Sequence, residues 1–150
     1  MAAVEQFVER LLSDKRWRGQ WACHRVIPAR GAVYGDLEHE LPGKLWSALR
    51  SVGIAKLYSH QARAIDAALN GRDVAVVTPT ASGKSLIYNI PVLRTILDGD
   101  DICALYLFPL KALGQDQKKT LEELSIRLGG IVNIAIYDGD TSSYRRKKIR

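Results

Sequence analysis

The chain has 150 residues, 47% of them hydrophobic and 25% charged, an ordinary composition for a globular domain with a real core. No apolar run approaches the roughly 18–20 residues of a membrane span, and Glu5 and Glu9 replace the basic start of a secretory signal, so no membrane partner is expected. The net charge of +6 points toward nucleic acid, but Arg145, Arg146, Lys147, Lys148 and Arg150 carry most of it: without them, 17 basic residues face 16 acidic ones. Cys23 and Cys103 lie far apart and neither has a CxxC partner, which predicts no disulfide framework and fits a reducing cytoplasm. Cys23 and His24 together offer too few ligands for a metal, and Cys103, in an apolar run, is expected in the core.

The apolar spacing of the first residues predicts an amphipathic helix over about Ala2–Leu12. The Trp-, Arg- and Gly-rich stretch from Trp17 to Gly31 has no clean period and reads as loop with short strands. Pro42 opens a second helix to about Val52, since a first-turn N–H would be unpaired anyway. Ser59 is placed to cap a helix over His60–Leu69, which Gly71 can end. From there the chain alternates. Asp73–Val77, Ile102–Phe108 and Val132–Tyr137 are short apolar runs of the buried parallel-strand type. Helices are expected between them over Lys84–Leu97 and Lys111–Leu128, the latter closed by Gly129–Gly130. Asp138-Gly139-Asp140 is a turn, and a basic helix follows it. This order predicts right-handed βαβ units and an α/β fold with a parallel sheet flanked by helices.

The chemistry concentrates in Thr78-Pro-Thr-Ala-Ser-Gly-Lys-Ser85, between the first apolar run and its helix. A phosphate loop belongs there, because helix-start N–H groups and the helix dipole face an anion. Thr80, Ala81, Ser82 and Gly83 would line the phosphates, Gly83 allowing close backbone approach. Lys84 can reach the β- and γ-phosphates and is the catalytic candidate, and the Ser85 hydroxyl stands where Mg²⁺ would sit. Thr78 occupies the position of the usual first glycine.

TPTASGKS resembles motif I of the superfamily 2 helicases, of DEAD/DEAH-box type. Leu57-Tyr-Ser-His-Gln61 resembles their Q motif, which implies that the Gln61 amide reads the adenine edge and that Tyr58 stacks on the base. Phe108-Pro-Leu-Lys-Ala-Leu113 resembles motif Ia, with Pro109 and Lys111 at a helix start suited to a nucleic-acid phosphate. The usual pattern often has Thr where Leu110 stands. Tyr137-Asp-Gly-Asp-Thr141 resembles the next block; Thr141 or Ser142 either binds a strand phosphate or caps the basic helix, and both readings stay open. In family order, these blocks are most similar to the MrfA-like (YprA-type) DNA helicases, and Ile27-Pro-Ala-Arg30 resembles the segment before their motor core. The resemblance implies ATP and Mg²⁺ as cofactors, single-stranded DNA as partner, 3′-to-5′ movement, a role in DNA repair and a C-terminal zinc-binding domain absent from these residues. It divides the chain into a leader, mostly helical or irregular, over 1–55 and the first part of a RecA-like P-loop domain over 56–150.

Hydrolysis also needs an acidic partner for Mg²⁺ and the attacking water. The family uses an Asp-Glu pair in motif II, and this chain contains no Asp-Glu dipeptide. A fragment that binds ATP without hydrolysing it is therefore expected. Missing the motif II strand beside the motif I strand, it should expose a sheet edge and aggregate easily. Two rivals are a small P-loop kinase, disfavoured by the 77 residues before the loop, and a non-catalytic nucleic-acid-binding module that ignores ATP.

Overall fold

A computed structural model describes residues 2–29, 31–80 and 82–149. Arg30, Ala81 and Arg150, each singled out above, lie outside the described residues. Two compact units emerge, Met1–Gly31 and Ala32–Arg150. The first contains helix α1 (Ala2–Ser13) and a short 3₁₀ turn over Lys15–Trp17. The Asp14 carboxylate caps that turn by accepting from the Arg16 N–H at 2.9 Å, and the Arg16 guanidinium holds Asp14 below the usual carboxylate range. None of the strands expected between Trp17 and Gly31 forms among the described residues.

The second unit begins with strand β1 (Tyr34–Gly35), helix α2 (Gly43–Ser51) and strand β2 (Leu57–Tyr58), then helices α3 (Ser59–Leu69), α4 (Ser85–Leu97), α5 (Lys111–Arg127) and α6 (Ser143–Ile149). Helical spacing selects the buried face of α2 to α5: Leu45, Ala48 and Leu49 on α2; Ala62 and Ile65 on α3; Ile90 and Leu93 on α4; Leu121 and Leu124 on α5. These form one core with Leu41, Leu57 and Leu128, so residues 32–55 pack together with residues 56–150. Burying each large aliphatic side chain contributes about 1.5–3 kcal/mol before entropy is counted. Pro42 is the cap of α2 rather than its first residue. Ser59 is the first residue of α3, not its cap; the Gln61 side chain closes that end instead, accepting from the Tyr58 N–H at 2.8 Å. At the other end Gly71, at φ +72°, turns the chain so that the Arg72 N–H bonds the Ala67 carbonyl.

The expected parallel sheet is not formed among the described residues. Their one sheet is the antiparallel pair β1–β2, with Tyr34 opposite Tyr58 and Gly35 opposite Leu57. Residues 73–77, 102–108 and 132–137 carry no strand ladder. A ladder is made by pairing, so an apolar run alone does not create one. The period of two nonetheless survives in burial. Tyr106, Val132 and Ile134 pack on the core, while Val77, Leu105 and Leu107 are more than 80% exposed. Cys103 lies on this uncovered apolar surface and is exposed, which corrects the expectation of a core thiol. A cavity of about 500 Å³ lies between Val74–Val76 and the Ile87–Pro91 side of α4.

Candidate nucleotide and nucleic-acid site

Helix α3 anchors the site. Its Asp66 is buried and accepts from the Glu38 and His39 amides at 3.0 and 3.2 Å and pairs with His39 Nδ1 at 2.9 Å. Burial pushes the Asp66 carboxyl up, but these donors outweigh it and hold the group below its ordinary value. The 38–39 segment is thereby tied to α3.

The other end of α3 meets the phosphate loop. Gln61 is 2% exposed, and its Nε2 donates to the Gly83 carbonyl at 2.8 Å while its Oε1 holds the Tyr58 amide. His60 Nε2 lies 3.1 Å from the Ser82 carbonyl, a contact that requires the Nε2–H form. Gly83 has φ +72°, and a Cβ there would stand 2.4 Å from Gln61 Nε2. Only glycine gives both the backbone conformation and the space. The loop also closes on itself. Lys84 Nζ donates to the Thr78 and Pro79 carbonyls at 3.0 and 2.7 Å, and Thr78 Oγ1 and Ser82 Oγ are 2.6 Å apart. Ser85 is the first residue of α4, half-buried, and Thr80 is exposed in the turn of the loop. Tyr58 is the shared member of an aromatic stack, 5.5 Å from the Tyr34 ring and 5.8 Å from the His60 ring. Tyr34 stands in no motif, and His60, although next to Gln61, carries no sequence signal of its own.

A second cluster gathers at the start of α5. Pro109 is exposed in the bend before it, and Lys111, the first helical residue, bonds Asp140 Oδ2 at 2.6 Å. That hydrogen bond raises the Lys111 pKa. Thr141 is committed to its own turn: its Oγ1 accepts from the Asp138 amide at 2.9 Å and lies 3.0 Å from Asp138 Oδ1. Asp138 is held below its usual range, first by the Thr141 hydroxyl. Ser142 Oγ accepts from the Arg145 amide at 3.3 Å, so it caps α6. Arg146 closes the turn, donating to the Thr141 and Asp138 carbonyls at 2.8 and 2.9 Å and lying over the Tyr137 ring. The sequence placed Lys111 and Thr141 in separate motifs; folding sets the two motifs side by side. Between the clusters, Tyr88 of α4 donates to Gln117 of α5 at 2.7 Å.

The residues present suit a nucleotide: a glycine hinge that a Cβ would fill, a lysine and a helix start with a hydroxyl. For Mg²⁺, no group of three or more His, Cys, Asp or Glu gathers among the described residues, so Ser85 is the protein ligand on offer and phosphates and water would complete the shell.

Comparison with known proteins gives the family. The DEAD/DEAH box helicase family matches residues 58–150. The ATP-dependent helicase YprA of Bacillus subtilis (strain 168) is 40% identical over 140 residues, covering 93% of this chain and 19% of the relative. The ATP-dependent helicase hrq1 of Schizosaccharomyces pombe is 40% identical over 153 residues, covering 98% of this chain and 14% of the relative. Among solved structures, the helicase MrfA bound to DNA and AMPPNP superposes with a TM-score of 0.76 at 42% identity, over 82% of this chain and 17% of that one. The chain thus spans less than a fifth of the length of these relatives. On the family match and these identities, the chain belongs to the DEAD/DEAH box helicases.

Proposed function

We propose that this chain is the ATP-binding front part of an ATP-dependent 3′-to-5′ DNA helicase acting in DNA repair. Residues 1–55 form the leader in this reading. Residues 56–150 open a RecA-like motor domain whose parallel strands are the three extended runs. The observation that carries the ATP-binding part of this reading is the hydrogen-bond inventory of Gln61. A glutamine amide has two donors and two acceptor sites. Gly83 and Tyr58 use one of each. One donor and one acceptor remain, the pair that the N6 and N7 edge of adenine requires, and because the side chain is 2% exposed the base would reach them only by displacing what covers it. The same contacts tie the base reader to the phosphate loop.

In this reading the base would take the place of the Tyr34 or His60 ring against Tyr58, and the loop residues Thr80, Ala81, Ser82 and Gly83 would line the phosphates. Lys84 would exchange the Thr78 and Pro79 carbonyls for phosphate oxygens, and Ser85 would ligate Mg²⁺. Bound Mg²⁺–ATP supplies the phosphoanhydride whose cleavage drives a helicase. Pro109, Lys111, Thr141 and Ser142 lie along the path of single-stranded DNA. The YprA and hrq1 relatives, named as ATP-dependent helicases, and MrfA, solved with DNA and AMPPNP, support this assignment. The sequence has no Asp-Glu pair to hold Mg²⁺ and orient water, so these residues bind ATP without turning it over.

The test is Mg²⁺–ATP binding by the chain beside Lys84→Ala, with phosphate release followed in the same samples. Binding lost in the variant, without turnover in either, is expected. Lys84-dependent turnover by this chain alone would overturn the division of labour.

A further inference from the structure

On the strand-binding reading of Lys111, we propose that Asp140 sets nucleic-acid affinity by competing for Lys111: its carboxylate sits where a strand phosphate would, and binding exchanges one anion for the other. Lys111 begins the 17-residue helix α5, where the dipole and the first N–H groups favour an anion. The anion found there belongs to the protein, with Lys111 Nζ and Asp140 Oδ2 2.6 Å apart. The ammonium lies close over the turn, since a Cβ on Gly139 would be 3.8 Å from it.

Asp140 is presented by a braced turn. Its N–H donates to Asp138 Oδ1 at 3.0 Å, the Thr141 N–H bonds the Asp138 carbonyl at 3.2 Å, and Arg146 donates to the Asp138 and Thr141 carbonyls. The carboxylate itself is free to swing, because both partners are largely exposed, at 57% and 82%. Exchange therefore needs side-chain rotation and no refolding. An exposed pair is weak, so a phosphate can displace it. A phosphate arriving at Lys111 would also meet the Asp140 charge, and like charges at that range repel.

The experiment measures binding of a labelled single-stranded DNA oligonucleotide against salt, for the chain and for Asp140→Asn, Asp140→Glu, Lys111→Ala and the Lys111→Ala/Asp140→Asn double variant. Asp140→Asn keeps the size and the backbone donor and removes the charge. Its affinity should rise about two- to fivefold, the worth of an exposed pair. Its salt dependence should steepen by about one phosphate contact, because Lys111 enters the complex without leaving a partner. Asp140→Glu should keep the wild-type affinity. In the Lys111→Ala background the gain from Asp140→Asn should vanish. An unchanged or weaker affinity for Asp140→Asn would overturn the proposal, as would a gain of equal size with and without Lys111. If Lys111→Ala binds as tightly as the wild type, the strand-binding reading of Lys111 itself fails, and the proposal falls with it.

Discussion

Replacing Gln61 with Ala should cost both stability and base selectivity. The side chain is 2% exposed and joins the Tyr58 amide to the Gly83 carbonyl, each at 2.8 Å. Truncation hands the Tyr58 N–H and the Gly83 carbonyl, both on exposed residues, to water, so the loss is the net worth of two hydrogen bonds, about 0.5–1.5 kcal/mol each. The better helix propensity of Ala returns roughly 0.4 kcal/mol. The net loss is about 0.6–2.6 kcal/mol, which lowers the melting midpoint by roughly 2–10 °C for a unit of this size. Thermal denaturation followed by circular dichroism reads that term. The second term is read by binding of ATP and GTP to the same protein. A residue that only braces the loop would weaken both nucleotides alike. The adenine reader should lose the preference for ATP, with GTP falling less. Gln61→Glu separates the terms further, since it keeps the Tyr58 acceptor but puts an oxygen against the Gly83 carbonyl. A Gln61→Ala variant that melts with the wild type, or that keeps the full ATP preference, would refute the reasoning.

Four further outcomes follow from the same contacts. Gly83→Ala forces a Cβ into φ +72° and to within 2.4 Å of Gln61 Nε2; it should cost about 1–2 kcal/mol for the backbone alone and remove ATP binding, checked by calorimetry. The Asp66 carboxyl is depressed in the folded chain, so its stabilisation is complete above the unfolded carboxylate value near 3.9 and is lost as pH falls through the lower folded value. Urea midpoints from pH 6 to pH 3 should therefore fall more steeply for the wild type than for Asp66→Asn. Tyr106 has a buried hydroxyl without a partner among the described residues, and burial, with Tyr88 adding, pushes its pKa up to about 12; Tyr106→Phe should be neutral or stabilising by about 1 kcal/mol in the same melts. Leu45→Ala should destabilise by about 2–5 kcal/mol, as a fully buried leucine in the shared core requires, and a denaturant midpoint matching the wild type would exclude that packing.

The local features were legible in the sequence. Helical spacing located α2 to α5 to within a residue or two, because a helix satisfies its own backbone bonds. The Gly83-Lys84-Ser85 order at a helix start points to a phosphate loop through residue types that few other roles demand, whereas Gln61 is picked out only by the resemblance of Leu57–Gln61 to the Q motif. The sheet was not legible in the same way. Val76, Tyr106 and Ile134 announce extended chain, but each ladder needs a partner that the local sequence does not name. For the same reason Cys103 is exposed despite its apolar run, since such a run is buried only where something covers it.

What the sequence determined by itself was the set of helices, the phosphate loop and the family, since these rest on neighbours along the chain. The tertiary structure alone decided which distant groups meet: Gln61 with Gly83, Asp66 with His39, and Lys111 with Asp140. Each of these pairs spans more than 20 residues. Their distances are set by how α3, α4 and α5 pack around Leu45, Ile65 and Leu93, and packing depends on the volume and shape of all these side chains at once.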